Sequence, residues 1–208
     1  MKLIDMKLHE FNDAVASKAP APGGGSVAAL TAANGAALTA MVAKLTIGKK
    51  KYAEHDALMQ EIIEESEKLT AELMACVDKD TEAYNGVSAV FDMPKNTDEE
   101  KAARSEAMQK ALEAAVLVPL RVMELCLDAL KITDKAVGKS NVNAASDLGV
   151  AALNLSTGSL GAHLNVKINL SGIKNEAFVN KYKPLCLEMY EAAYTLSESI
   201  YNRILNEL

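Results

Sequence analysis

The sequence predicts an all-α fold, a helical bundle of about five to seven helices, from three observations. Half of the 208 residues are apolar but only 4% are aromatic, so the core must be built of Ala, Leu, Val, Ile and Met, which suit packed helices better than sheets. Neither a strand–helix alternation nor an Asn-Gly hairpin between strands is present. Since no linker divides the chain, residues 1–208 are expected to form one domain.

The first half of the chain contains three predicted helices. A short amphipathic helix is expected over residues 3–17, followed by a loop over residues 19–25. A helix of small residues follows over residues 26–47, and Gly48 is a plausible stop signal. The third helix is expected over residues 52–85, with a loop around Pro94 after it.

The second half contains the longest predicted helices. Thr97 and Glu100 match the capping-box pattern, which predicts a helix from residue 97 to about residue 132. Pro119 lies inside this segment and should kink the helix or break it in two. After a break near Gly138, two more helices are expected over residues 141–170 and 175–208, the latter containing Pro184.

The entry into the small-residue helix is the first candidate site. The glycines of PGGGS (residues 22–26) free the backbone, and Ser26 can cap the N–H groups behind them. A helix N-terminus attracts anions, so Ser26 with Gly24 and Gly25 could bind a ligand carboxylate or carbonyl. The alternative is a tight entry into a closely packed helix. The segment is not a phosphate-binding P-loop, because no Gly-Lys-Ser/Thr follows the glycines.

Lysines near the end of the same helix form the second candidate site. Lys44 follows Met41 and Val42, and a desolvated lysine in such a setting has a lowered pKa that suits proton transfer. The alternative is a lysine that extends to solvent near a helix end. Lys49, Lys50 and Lys51 could attract a polyanionic ligand tail, or they could be a solvated cluster favoured by the helix dipole.

The third candidate is a row of polar residues in the Ala/Leu-rich segment 140–170. Its members recur at intervals of four and eleven residues, close to whole helical turns, and Lys167 lies near the end of the row. The row consists of Asn143, Asp147, Asn154, Gly158, Asn165 and Asn169. Buried amides need partners, so these residues either bond across helices or face a ligand.

Composition narrows the function classes further. A net charge of −6 argues against a broad nucleic-acid-binding surface. Cys76, Cys126 and Cys186 lie in apolar neighbourhoods and are expected to be buried thiols. No metal-ligand spacing is present, no signal peptide is apparent and no apolar run reaches about 18 residues, so no metal, no membrane span and a cytoplasmic location are expected. Asp78 and Asp80 are interpreted as surface acids, although Asp80 could pair with a site lysine.

Three segments together resemble the cyclodeaminase/cyclohydrolase family, which includes the C-terminal domain of formiminotransferase-cyclodeaminase. They are PAPGGGSVAAL…MVAKLTIGKKKY, MPKNTDEEKAAR (residues 93–104) and NVNAASDLGVAAL…GAHLNVKINL. The resemblance implies an all-helical homodimer that acts on tetrahydrofolate derivatives without a metal or redox cofactor. It implies a methenyltetrahydrofolate cyclohydrolase, with formiminotetrahydrofolate cyclodeaminase as the alternative and a non-catalytic folate-binding protein as a further one.

Under this resemblance the candidate residues take roles. Asp147 would face the cationic one-carbon bridge and Lys44 would transfer protons. The remaining residues would bind substrate: Ser26, Gly24 and Gly25 as one wall of the pocket, Asn143, Asn165 and Asn169 as the opposite wall, and Lys49, Lys50, Lys51 and Lys167 at the glutamate tail. A site shared between two subunits would explain the small-residue helix.

Overall fold

The computed structural model describes residues 2–208, which form six α-helices and three short 3₁₀ turns, with no strand in that range. The helices are α1 (Leu8–Val15), α2 (Gly24–Lys44), α3 (Asp56–Phe91), α4 (Asp98–Ala136), α5 (Ala145–Leu170) and α6 (Glu176–Glu207). The 3₁₀ turns are Leu3–Asp5, Lys50–His55 and Val142–Ala144. The all-helical prediction is therefore confirmed, with a helix number inside the expected range.

Helices α2 and α5 are the centre of the bundle. They pack against each other, α3 flanks α2, α6 flanks α5, and α4 contacts all four of these helices. The core beneath them is aliphatic, as the composition predicts, and Phe11 is its one buried aromatic side chain among residues 2–208. The largest fully buried side chains include Met59, Ile62, Leu73, Met123, Leu130, Leu155 and Ile200.

Small residues allow α2 and α5 to approach closely. A Cβ on Gly35 would lie 2.8 Å from the carbonyl oxygen of Ala151, and one on Gly158 would lie 2.7 Å from the Cβ of Ala32. A methyl group at either position would cost about 1–3 kcal/mol through overpacking. The small-residue face thus packs within one chain, so it does not by itself require the subunit boundary that the sequence suggested.

Helix boundaries follow their capping residues. The Thr97–Glu100 capping box is confirmed, because the Glu100 N–H donates to Thr97 Oγ1 and the Thr97 N–H donates to Glu100 Oε2, both at 3.2 Å. Gly48 has a φ of 76°, which glycine adopts readily. Of the kink or break expected at Pro119, the break is wrong, since α4 continues through this buried proline.

The structure corrects the first predicted helix, which is a 3₁₀ turn followed by the shorter α1. Helix α2 is long and apolar enough to cross a membrane by length and composition, with a mean hydropathy of 1.5 over an 18-residue window that is 61% buried in the bundle. Thr31, Asn34 and Thr39 interrupt its apolar residues, and the absence of a membrane span stays a prediction. The buried-thiol prediction is confirmed for all three cysteines.

Candidate functional site

The N-terminus of α2 is closed by a carboxylate from α3. Asp80 Oδ2 accepts hydrogen bonds from the Ser26 N–H at 2.9 Å and from Ser26 Oγ at 3.2 Å. The single Ser26 hydroxyl hydrogen is shared with the carbonyl oxygen of Val77, which is the nearer acceptor at 2.8 Å. A Cβ on Gly25 would fall 2.0 Å from Asp80 Oδ1. Glycine is therefore required at position 25 so that the carboxylate can approach the helix.

This arrangement corrects two predictions about the same segment. Ser26 is not the N-cap: the capping position is Gly23, which makes no side-chain cap, and Ser26 is fully buried in the third helical position. Asp80 is not a surface acid and pairs with no lysine, since its partners in residues 2–208 are on Ser26. The anion that the helix N-terminus attracts is thus the protein's own carboxylate.

The environment of Asp80 raises the pKa of its carboxyl group. Partial burial has the larger effect and favours the neutral acid, while the two hydrogen bonds from Ser26 oppose it by favouring the carboxylate. A carboxyl group with a raised pKa gives up and takes back a proton more readily near neutral pH than an ordinary aspartate. Asp80 is therefore suited to proton transfer.

Two amides of the predicted polar row lie near this carboxylate's helix end. A Cβ on Gly24 would be 3.8 Å from Asn165 Nδ2, and this half-buried amide donates to the Gly161 carbonyl at 2.9 Å. One turn further along α5, Asn169 Nδ2 donates to the Ala115 carbonyl of α4 at 3.0 Å. Gly24, Gly25, Ser26, Asp80 and Asn165 form what we call the glycine end of the α2/α5 pair.

A second set of predicted residues lies at the opposite end of the same two helices. Because α2 and α5 are antiparallel, the C-terminus of α2 meets the N-terminus of α5, where Asn141 Nδ2 donates to the Leu45 carbonyl at 3.2 Å. We call this region the lysine end; its members are Lys44, Lys49, Lys50, Lys51, Asn143 and Asp147. The Tyr52 hydroxyl accepts from the Val142 N–H at 3.1 Å, which lowers the pKa of the phenol.

Lys44 differs from its prediction. Its Nζ lies 2.6 Å from Glu67 Oε1, and both side chains are 54% exposed. The desolvation expected for Lys44 is therefore wrong within this chain, because the amine reaches solvent beside an ion-pair partner. Asn143 is exposed and Asp147 is half-buried.

The two ends lie too far apart to form one pocket within a single chain. Asp147 and Asn165 are 18 residues apart on α5, or about 27 Å along a helix. Gly158, between them, is buried against Ala28 and Ala32. The spacing correctly placed these residues on one helix, but the single pocket wall inferred from it is wrong within one chain.

Lys167 is also separated from the other predicted tail-binding lysines. It lines an apolar cavity of about 650 Å³ between α5 and α6, together with His163 and Lys183. The His163 ring packs against Tyr190 at a tilt of 44° with centroids 4.6 Å apart. Burial, with a smaller effect of Lys167, lowers the pKa of this imidazole. Residues 49–51 lie at the other end of the bundle, so one ligand tail cannot contact both sets in one chain.

No group of three or more His, Cys, Asp or Glu residues is placed to hold a metal ion within residues 2–208. The polar groups at both ends are amides, carboxylates, a hydroxyl and amines. This inventory suits hydrogen bonding and proton transfer.

Comparisons with known proteins decide the family. A profile described as formiminotransferase-cyclodeaminase matches residues 7–187. The chain belongs to this family. The resemblance seen in the three sequence segments is thereby confirmed.

Individual members of the family show which activities occur in it. The chain is 41% identical over 197 residues to a methenyltetrahydrofolate cyclohydrolase of Methylorubrum extorquens, covering 95% of each chain. It is 36% identical to the formimidoyltransferase-cyclodeaminase of Rattus norvegicus, of which it matches 36%. A crystal structure of formiminotetrahydrofolate cyclodeaminase from Thermotoga maritima superposes with a TM-score of 0.81 at 32% identity, covering 98% and 96% of the two chains.

Asp80 is the residue of the glycine end that sequence reasoning did not place there. Its partner Ser26 lies 54 positions away, so no local spacing links them. One sequence signal was available: an unpaired acid in an apolar helix segment, together with a glycine loop that opens a helix without an acidic residue of its own in the first turn.

Proposed function

We propose that this protein is a methenyltetrahydrofolate cyclohydrolase, which hydrolyses 5,10-methenyltetrahydrofolate to 10-formyltetrahydrofolate. The observation that carries the proposal is the 41% identity to the Methylorubrum extorquens cyclohydrolase over 95% of both chains. The Asp80 carboxyl group, with its raised pKa beside an open glycine turn, supplies the acid–base chemistry that this hydrolysis needs.

The proposed reaction uses Asp80 as a proton carrier. Water adds to the methenyl carbon while Asp80 accepts one of its protons, which gives a neutral tetrahedral carbon bonded to N5 and N10. The proton on Asp80 is then passed to N5 as the bond between this carbon and N5 breaks. The hydroxyl proton is released to solvent and the formyl group remains on N10, so the atoms and charges balance.

The other residues of the glycine end would position the substrate. The Asn165 amide can donate to or accept from the pterin ring beside Gly24. Ser26 holds the Asp80 carboxylate in place through its N–H and hydroxyl groups. Gly24 is exposed, which leaves room for a planar ring to approach the α2 N-terminus.

Cyclodeamination is the second candidate, and the likeness to the Thermotoga maritima formiminotetrahydrofolate cyclodeaminase favours it. In that reaction N10 attacks the carbon of the protonated formimino group on N5, and the nitrogen of that group leaves as ammonia. The same carboxyl group would take the N10 proton and pass it to the departing nitrogen. Both reactions therefore use one proton carrier and differ in the nucleophile.

A homodimer would complete the site. The outward faces of α2 and α5 expose Val27, Val150, Leu153, Leu164 and Ile168, with Leu164 and Ile168 about 70% accessible. Exposed apolar stripes of this kind mark association surfaces. A two-fold axis lying in that interface and perpendicular to the helices would place the lysine end of one subunit beside the glycine end of its partner. Asp147 and Lys44 would then act on substrate held by the other subunit.

A paired assay tests the proposed function. The purified protein is given methenyltetrahydrofolate, followed by its absorbance decay, and formiminotetrahydrofolate, followed by ammonia release. We expect the first reaction to have the larger kcat/KM. A larger value for the second would assign the chain as a cyclodeaminase, and tight folate binding without turnover of either would make it a non-catalytic folate-binding protein.

A further inference from the structure

Residues 93–104, one of the three segments that carry the family resemblance, have no part in the site described above. It forms one side of a surface cavity of about 360 Å³ between the start of α4 and the α5–α6 linker. Four cationic side chains line this cavity: Lys95, Lys101, Arg104 and Lys174. No carboxylate is among its lining residues. In a chain with a net charge of −6, such a cluster is unusual.

The cations of this cavity are mostly without acidic partners. Lys101 pairs with Asp98 at 2.9 Å. Lys95, Arg104 and Lys174 have no carboxylate within 4.0 Å among residues 2–208. The other cations of α4 each have a carboxylate partner, for example Arg121 with Glu72 and Lys135 with Glu61. The cavity therefore concentrates positive charge that the fold leaves uncompensated.

Hydrogen bonds fix the Arg104 side chain and the backbone at Lys174. Arg104 Nε donates to the Val90 carbonyl at 3.0 Å and its Nη2 donates to the Phe91 carbonyl at 3.3 Å, which fixes the guanidinium against the end of α3. Gln109 receives the Lys174 N–H at 2.7 Å and donates to the Gly172 carbonyl at 3.1 Å. The linker that carries Lys174 is thus bound to α4, so the Arg104 guanidinium and the backbone of the linker are positioned before any ligand arrives.

We propose that this cavity binds an anion carrying two or more carboxylate or phosphate charges. Such a group can come from the γ-linked glutamate tail of a folate or from a separate small anion. A folate tail at this cavity would rest on the proposed function. Asn165 at the glycine end is five residues from Leu170, where α5 ends, or about 7.5 Å along the helix, and the linker that carries Lys174 follows. The tail of a folate bound at Asn165 would then extend along the end of α5 towards Lys174.

Two measurements test the proposal and separate the two sources. Calorimetry measures the binding of tetra-γ-glutamate and of pyrophosphate to the wild-type protein and to Lys95→Ala/Lys174→Ala. Steady-state assays measure KM for monoglutamate and pentaglutamate forms of methenyltetrahydrofolate. The control is Lys131→Ala/Lys135→Ala, which removes the same charge from exposed, ion-paired positions near the other end of α4.

If the tail binds here, the cavity variant raises KM for the pentaglutamate at least about tenfold and leaves KM for the monoglutamate unchanged. If a free anion binds, the variant loses pyrophosphate affinity at least about tenfold while the ratio of the two KM values stays at its wild-type value. Equal anion affinity in the wild-type protein and the cavity variant, or an equal loss in the control, overturns the proposal.

Two further outcomes can be told apart: a folate tail bound at the lysine end, and a protein that does not turn over folates. Loss of pentaglutamate preference in Lys49→Ala/Lys50→Ala, but not in the cavity variant, would overturn the tail assignment and place the tail at the lysine end. If the wild-type protein turns over neither folate substrate, the proposed function fails, and the calorimetric titration still decides whether the cavity binds anions.

Discussion

The glycine end and the lysine end of the α2/α5 pair hold their polar groups in different ways. At the glycine end, Asp80 is partly buried, bonded to two groups of Ser26, and set against a glycine that admits nothing larger. At the lysine end, Lys44 is half exposed and paired with Glu67. The first arrangement fixes a carboxyl group and alters its pKa, whereas the second leaves charges that can rearrange.

This difference suggests a division of labour. A preorganised carboxyl group in a partly dry setting is suited to moving protons at a reacting carbon. Mobile surface charges are better suited to meeting a substrate or a second subunit, where they become ordered on contact. The predictions below test whether the two ends differ in this way, beginning with the largest expected effect.

Replacing Asp80 by asparagine should lower kcat by about 10²–10⁴-fold, because the amide keeps the shape of the side chain but cannot carry a proton. Methenyltetrahydrofolate absorbance decay measures the loss, and circular dichroism reports the fold. Asp78→Asn is the matched control on the same helix, since Asp78 instead accepts the Leu3 N–H at 2.6 Å. Activity of Asp80→Asn within about threefold of the control would remove Asp80 from the chemistry.

Gly25→Ala should displace the Asp80 carboxylate, because the new Cβ would fall 2.0 Å from Asp80 Oδ1. We expect a loss of kcat of about 100-fold and a destabilisation of about 1–3 kcal/mol from overpacking. Gly86→Ala is the control, as a Cβ there meets no atom within 4 Å and should stabilise α3 by about 0.5–1 kcal/mol. Urea denaturation and the absorbance assay measure both effects.

Asp147→Asn and Lys44→Met should each lower kcat/KM by about tenfold or more if the lysine end of one subunit completes the site of its partner. The variants should remain folded, because both side chains are at least partly exposed. Losses below about tenfold in folded protein would confine the chemistry to the glycine end.

The raised pKa of Asp80 predicts a smaller, pH-dependent effect on stability. A carboxyl group whose folded-state pKa exceeds its unfolded value, about 3.9 for aspartate, binds more protons in the folded state between those two values. The free energy of unfolding therefore falls as pH rises through that window. Asp80→Asn lacks this dependence, so its urea midpoint relative to wild type should rise between pH 3.5 and neutral pH. A constant difference across that range would contradict the pKa shift.

Much of the fold follows from local sequence signals. The Thr97–Glu100 pair marks the start of α4 because both hydrogen bonds of a capping box lie within one turn. The glycine and alanine residues of α2 and α5 account for the close packing of these two helices. Pro119 was expected to kink or break α4, and the helix is unbroken because packing of this buried proline in the bundle outweighs the hydrogen bond that proline removes.

Less of the candidate site than of the fold could be predicted from the sequence. Periodicity placed Asn165, Asn169 and Asp147 on one helix, yet periodicity carries no information about which turns face which neighbour. Asp80 and Ser26 are joined only by the packing of α3 on α2. The predicted desolvation of Lys44 was wrong because this amine is half exposed and pairs with Glu67 of α3, a neighbour that the local sequence of α2 does not reveal.

A subunit-complementation assay tests the central claim that the two ends form one site across a dimer. Asp80→Asn and Asp147→Asn, each with little activity alone, are coexpressed with different tags and the heterodimer is isolated. In the proposed arrangement one of its two sites has lost both residues and the other is intact, so the heterodimer should recover about half of the wild-type kcat. Failure of the isolated heterodimer to exceed its two parent variants would contradict a shared site.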